Sequence, residues 1–194
     1  RMVAYQGYLY VLAGVGYEGS ALVSDDTVLY ATLADTGEIG DWVTATTYSF
    51  TERAEYAAVA LNGYLYVICG DDVSGGTYPN DGTKSVEYAP INSDGSLGTW
   101  LETEGTFNGT FALGAVALED GIVIIDGWSI WQEYADQADD GSLTEWGIYS
   151  PGDYEDRGRF GCVAYNGKLY VLGGYLGGSD GVFLDSVYYG DLVP

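Results

Sequence analysis

The stretch Tyr88-Ala-Pro-Ile-Asn-Ser-Asp-Gly-Ser-Leu-Gly-Thr-Trp100 decides how this chain is read, because its frame occurs three times. Tyr30 stands twelve residues before Trp42, Tyr88 before Trp100 and Tyr134 before Trp146, with no gap in any copy. Their interiors are Thr36-Gly37-Glu38-Ile39-Gly40, Asp94-Gly95-Ser96-Leu97-Gly98 and Asp140-Gly141-Ser142-Leu143-Thr144. A fourth copy starts at Tyr189, and its tryptophan position falls beyond Pro194. The chain is a repeat protein, and its fourth repeat is unfinished in this sequence.

A second set of anchors fixes the register. Tyr8-Leu-Tyr-Val-Leu-Ala-Gly14 recurs as Tyr64-Leu-Tyr-Val-Ile-Cys-Gly70, as Gly121-Ile-Val-Ile-Ile-Asp-Gly127 and as Lys168-Leu-Tyr-Val-Leu-Gly-Gly174, with closing glycines 56, 57 and 47 residues apart. A period near fifty points to a propeller or a solenoid array.

Each repeat opens on small or apolar residues, as in Glu55-Tyr-Ala-Ala-Val-Ala-Leu61 and Phe160-Gly-Cys-Val-Ala-Tyr165. Asn62-Gly63 and Asn166-Gly167 follow, with Gln6-Gly7 and Glu119-Asp120 at the same place. Asn-Gly between apolar runs predicts a tight hairpin, since both residues tolerate the positive φ of a type I′ turn. A second strand ends at the glycine, and a variable loop leads to a third strand such as Lys84–Ala89. An Asp-Gly or Thr-Gly turn then leads to a fourth strand expected to carry the tryptophan. Four short antiparallel strands make one propeller blade. Apolar periodicity is near two and helical periodicity is absent. The expected fold is all-β, a four-bladed propeller with four strands per blade, the last blade lacking its outer strand. Approximate blades are 1–50, 51–106, 107–152 and 153–194, in a single domain.

With these residues in place the chain resembles the bacterial kelch-type β-propellers. The resemblance rests on Gly173-Gly174 closing a strand, on the spaced Tyr and Trp, on Arg53 and Arg157 before first strands, and on the Asp94–Trp100 segment. Two departures stand out: only the last repeat keeps both glycines, and Thr110 occupies the arginine position of the third. Kelch propellers usually have more than four blades, so the chain reads either as a small ring or as a piece of a larger one.

Composition excludes several functions. With 29 acidic residues against 6 basic, the net charge is −23. Phosphate binding needs clustered Lys and Arg, so nucleic acid is excluded as a partner. An anionic membrane would repel the same surface, and no apolar run reaches the length of a membrane span. Hydrophobic residues make up 47% of the chain, enough for a sizeable core. Cys69 and Cys162 are too few for a disulfide framework; placed at inner positions of the second and fourth repeats, they read as buried free thiols.

The chain has no histidine, which removes the commonest general base and His-ligated zinc, copper or iron. The copper chemistry found within the kelch fold therefore does not transfer. The four arginines, Arg1, Arg53, Arg157 and Arg159, occupy different repeat positions and do not form a sialidase-like cluster. Asp126, in an otherwise apolar run, is expected to serve a local hydrogen bond. Gly14-Val-Gly-Tyr-Glu-Gly19 fits a dinucleotide fingerprint but has no helix after it. Asn108-Gly-Thr110 is only a formal glycosylation sequon. The acidic pairs Asp25-Asp26, Asp71-Asp72 and Asp139-Asp140 lack EF-hand spacing and offer at most weak calcium binding. The expectation is a non-enzyme without a cofactor; a His-free glycan-active enzyme is the distant alternative.

Two features carry the functional reading. The last blade would leave Ser186, Val187, Tyr188, Tyr189 and Gly190 as an open assembly edge, with unpaired backbone donors and acceptors. Tyrosine is also abundant, at 19 residues. Six tyrosines outside the repeated frame, Tyr17, Tyr48, Tyr78, Tyr149, Tyr154 and Tyr175, are candidate contact residues placed in or beside loops, because tyrosine is large, rigid and wet at one end. These point to an extracellular or cell-surface structural or adhesive module that self-assembles with copies of itself into fibres or oligomers. The alternative is a carbohydrate- or protein-binding propeller within a larger surface protein, with glycans or other surface proteins as partners. A solvated three-stranded last blade, or a longer native chain, would leave the edge without a copy to pair with.

Overall fold

The computed structural model describes residues 1–19, 21–45, 49–71, 82–103, 111–127, 132–144, 146–149, 157–177 and 181–192. Its unit is the hairpin that the Asn-Gly steps dictate. Gln6-Gly7 (φ 44° and 80°), Asn62-Gly63 (43° and 86°) and Asn166-Gly167 (50° and 71°) all take the left-handed pair of a two-residue turn. Glu119-Asp120 occupies the same place without positive φ, and Leu118 N–H donates to the Gly121 carbonyl instead.

In the first blade this hairpin joins β1 (Met2–Tyr5) to β2 (Tyr8–Leu12). A small hairpin, β3 (Val15–Glu18) and β4 (Ala21–Ser24), stands off the sheet before β5 (Val28–Thr32) and β6 (Val43–Thr44) complete it. The second blade is β7 (Ala57–Leu61), β8 (Tyr64–Ile68), β9 (Val86–Pro90) and β10 (Leu101–Thr103). The third is β11 (Gly114–Ala117), β12 (Gly121–Ile125), β13 (Gln132–Asp136) and β14 (Gly147–Tyr149). In the fourth, β15 (Gly161–Tyr165) and β16 (Lys168–Leu172) are followed by a second small hairpin, β17 (Tyr175–Leu176) and β18 (Val182–Phe183), and then by β19 (Val187–Asp191). Three sheets have four strands in meander order; the last has three, β15-β16-β19. The all-β, four-bladed reading and the three-stranded last blade agree with the sequence.

Three local expectations are corrected. The variable loops of the first and last blades carry short hairpins, β3 with β4 and β17 with β18. Trp42, Trp100 and Trp146 each lie one residue before the outer strand and not within it. Cys69 directly follows the second strand of its blade, whereas Cys162 lies on an inner strand; both are free thiols.

The repeated tyrosines are cross-strand pairs. Tyr10 lies opposite Tyr30, Tyr66 opposite Tyr88 and Tyr170 opposite Tyr189. Their rings stack with centroids 6.2, 5.8 and 6.0 Å apart. The third blade substitutes Val123 opposite Tyr134.

The core lies between blades. One layer joins Tyr10, Leu12 and Val28 to Leu65, Val67 and Leu97; a second joins Tyr66, Ile68 and Tyr88 to Ile122, Ile124 and Trp146. A third joins Val116, Val123 and Ile125 to Leu169 and Val171. Strand alternation explains this: odd residues of β8 face one neighbour and even residues the other. Inner strands pack in the series β1, β7, β11, β15 and line an axial cavity of about 250 Å³. A backbone staircase follows the same axis, Ala112 N–H donating to the Glu55 carbonyl and Arg159 N–H to the Ala112 carbonyl, both at 2.9 Å.

In three of the four blades a crossing segment requires the glycine that closes the second strand, at Gly70, Gly127 and Gly174. A Cβ on Gly70 would sit 2.7 Å from the Ala54 carbonyl oxygen and 2.9 Å from Tyr56 Cβ, at φ +110°. Gly174, at φ +111°, meets the Gly158 carbonyl, Phe160 and Arg157 in the same way. At Gly14 no heavy atom lies within 4 Å. Gly70→Ala should therefore cost about 2–4 kcal/mol, whereas Gly14→Ala should stay within about 0.5 kcal/mol. Urea midpoints of the two variants measure this, and equal shifts would contradict the close-approach account.

Candidate interaction surfaces

Strand alternation buries both faces of the middle blades, whereas the last blade buries only one. Every residue of β12 is buried. In β16 only Leu169 and Val171 are, with Tyr170 half-buried and Leu172 exposed. The last blade thus presents a free face. It also presents a free edge, since β19 pairs with β16 alone among the described strands. Val187 is 55% and Tyr189 69% exposed there. Ser186, Val187, Tyr188, Tyr189 and Gly190 lie where the sequence placed them, with Ser186 just before the strand. Lys168 Nζ bonds Asp191 at 2.6 Å near the strand end, a small charged guard of the kind edges carry.

Of the six candidate tyrosines, the two whose side chains are described, Tyr17 and Tyr175, lie on different blades. Tyr17 lies on β3, 75% exposed. Tyr175 lies on β17 of a different blade, half-buried against Phe183 with ring centroids 5.3 Å apart. Both are strand residues of the small hairpins and not loop residues. Tyr149 ends β14, and its side chain lies outside the described residues, as do Tyr48, Tyr78 and Tyr154.

The repeat-phased tyrosines also join one blade to the next. Tyr10 donates its hydroxyl to the Gly95 carbonyl at 2.9 Å, and Tyr66 donates to the Gly141 carbonyl at 2.7 Å. Two residues earlier, the Tyr8 ring covers Gly95 and the Tyr64 ring covers Gly141. Leu97 and Leu143, two residues past those glycines, are 3% and 4% exposed. In the first blade the equivalent turn has no such cover. Gly37 has no heavy atom within 4 Å of its Cβ position, and Ile39 is 49% exposed. In the last blade, Lys168 and Tyr170 occupy the positions of Tyr8 and Tyr10.

Desolvation holds the hydroxyl pKa of Tyr10, Tyr56 and Tyr66 well above the ordinary tyrosine value. At Tyr10 the neighbouring Tyr8, Tyr30 and Asp94 add to it. Because the folded value is raised, the stabilisation is complete below the unfolded pKa of about 10 and is lost as pH rises beyond it. Tyrosinate absorbance should therefore show these three ionising only together with unfolding. Smooth titration of all tyrosines near their ordinary pKa in a folded protein would contradict this.

The arginines are structural. Arg53 is buried and ion-paired with Glu87, its Nη1 donating to the Cys69 carbonyl at 3.2 Å and to Ser85 Oγ at 2.9 Å. Arg157 repeats the arrangement on the Gly173 carbonyl and Ser186 Oγ, but stacks over the Tyr188 ring at 4.5 Å where the second blade has Glu87. Thr110, at this position in the third repeat, lies outside the described residues. Arg53→Met should cost about 3–5 kcal/mol by stranding Glu87, and Arg53→Met with Glu87→Leu should recover most of it. Urea midpoints of the single and double variants test this coupling.

At one mouth of the axis, Arg1, Glu55, Tyr56 and Arg159 border a cavity of about 450 Å³, with Arg159 Nε bonded to Glu55 at 2.6 Å. Among the described residues its lining holds one carboxylate, Glu55. Asp126 is buried and accepts from Gly127 N–H at 2.8 Å. Among the described residues no three acidic or thiol groups converge as metal ligands. Asp25 and Asp140 are held below the usual carboxylate range by hydrogen bonds from Thr27 and Ser142. Asp72 and the sequon Asn108–Thr110 lie outside the described residues. Burial pushes the Cys162 thiol up to about 11 and Cys69 well above its ordinary value, which leaves both poor nucleophiles.

Residues 156–189, the fourth repeat, match the kelch-motif family model. The chain thus carries a kelch motif in the last blade of a four-bladed β-propeller. Among solved structures, 134 chains match it. One is the structure of YjhT, 9% identical, with a TM-score of 0.73 over 98% of this chain and 61% of that one. The chain therefore spans about three-fifths of the length of that solved chain. No curated protein matches.

Proposed function

We propose that this kelch-type propeller is a non-catalytic structural or adhesive module that assembles with copies of itself through the open end of its last blade, outside the cell. The observation that carries the proposal is the last blade, with three strands and one bare face where the middle blades have four strands and none bare. Kelch propellers are typically protein-binding modules, which suits an interface function better than a chemical one. An edge strand with Val187 and Tyr189 outward is a template for strand addition. Repeated head to tail, a contact between unlike surfaces does not close by two-fold symmetry and extends into oligomers or fibres. The net charge of −23 keeps such subunits soluble before they meet. No cofactor enters this reading.

A second reading has its own support. The chain spans 61% of the solved chain it resembles, so further blades of a longer surface protein would cover the same faces and leave a module for glycans or proteins.

Size-exclusion chromatography with light scattering, run over a range of concentrations, separates the two. Self-assembly predicts mass rising above the 20.7 kDa chain mass with concentration. Val187→Lys, which charges the edge, should reduce that rise. A monomer at every concentration would defeat the proposal and leave the second reading.

A further inference from the structure

Of the four equivalent turns that close the inner hairpins, two are Asn-Gly, Asn62-Gly63 and Asn166-Gly167. Asn-Gly is prone to internal cyclisation, because glycine puts no side chain in the way of its own nitrogen as it attacks the asparagine amide. The attack requires the Gly N–H to give up its proton to hydroxide, so a hydrogen bond on that N–H slows it as it slows hydrogen exchange. Both asparagines are exposed, and solvent access does not separate them. Their hydrogen bonds do. Gly63 N–H donates to the Tyr5 hydroxyl of the preceding blade at 2.8 Å, and Asn62 Nδ2 donates to the Glu119 carbonyl of the following blade at 3.2 Å. For the fourth blade, the residue in Tyr5's place on the preceding blade is Leu118, which has no hydroxyl. Among the described residues nothing accepts from Gly167 N–H.

We propose that Asn166 is a site of spontaneous covalent modification in the folded protein, deamidating through a cyclic imide, while contacts to the neighbouring blades protect Asn62. Gly167 N forms a bond to Asn166 Cγ, and the bond from Cγ to the side-chain nitrogen breaks, that nitrogen taking up the displaced proton and leaving as ammonia. Water then opens the five-membered imide at one carbonyl or the other. One opening gives aspartate; the other gives isoaspartate, whose backbone runs through the former side chain. No oxidant and no enzyme takes part. The residues that distinguish the two turns, Tyr5, Glu119 and Leu118, act whether or not copies assemble. The product alters the fold locally. Asn166 and Gly167, at φ 50° and 71°, set Tyr165 opposite Lys168. Isoaspartate lengthens the backbone of that two-residue turn, which displaces the Gly167 carbonyl from Leu192 N–H, its partner at 2.9 Å. The inner hairpin of the fourth blade therefore loosens as the protein ages.

The test is tryptic peptide mapping by mass spectrometry of the folded protein, held in mildly alkaline buffer and sampled over time. Trypsin places the two sites in separate peptides, 54–84 and 160–168, and Asn108-Gly109 in a third. Asn166 should convert at least about tenfold faster than Asn62, the factor that one or two net hydrogen bonds supply. In urea, with both turns open, the two should convert at similar rates. Tyr5→Phe keeps the ring and frees Gly63 N–H; it should speed Asn62 several-fold and leave Asn166 unchanged, with circular dichroism confirming the fold. Isoaspartate in peptide 160–168, read by enzymatic carboxyl methylation, should accumulate with time. Equal rates at the two asparagines in the folded protein would overturn the protection of Asn62. If Asn166 converts in urea but stays intact in the folded protein, the free Gly167 N–H does not open the turn to attack, and the site is wrong. No change at Asn62 in a folded Tyr5→Phe variant would remove the Tyr5 bond as the cause.

Discussion

Everything in this molecule depends on one blade burying its face against the next. A four-stranded antiparallel sheet of this size has no stability of its own while both faces are wet. Here each sheet contributes one layer to the neighbour before it and one to the neighbour after it, so the core is divided into three slabs without a common centre. Burial follows: complete along β12, partial along β16. Two polar devices fix the distance and angle between slabs, the staircase of peptide bonds along the axis and the tyrosine hydroxyls that reach the next turn.

The same dependence explains what could be read from the sequence. The blade architecture was legible because its determinants are local and repeated. Asn62-Gly63 and Asn166-Gly167 need left-handed backbone, and the tyrosines pair across strands at fixed register. The three-stranded last blade was legible by counting. The closing glycines could be seen but not explained, because their reason is a segment that crosses Gly70 from outside the strand.

What the sequence hid is contextual. Gly37 and Gly95 occupy the same repeat position, and only three-dimensional position makes one bare and the other covered. Ile39 looks as much a core residue as Leu97, yet one is exposed and the other buried. The hairpins bearing Tyr17 and Tyr175 were missed because two-residue and four-residue strands fall below the length at which alternation is visible. Arg53 and Arg157 were recognised as motif residues, but their different partners, a carboxylate and an aromatic ring, are brought close only by folding.

The tyrosine hydroxyl that joins blades finds a peptide carbonyl, at Gly95 or at Gly141, and no side chain. A main-chain acceptor survives any substitution that leaves the turn in shape. The recognition element between modules is therefore written in backbone geometry, and the residues around it are free to drift. A gene encoding such a unit can be copied in tandem, and the new copy fits its neighbour from the start, before selection has refined a single contact. Asp35-Thr36-Gly37 and Asp139-Asp140-Gly141 thus stand at the same repeat position with different residues, and only the second receives a tyrosine in this chain.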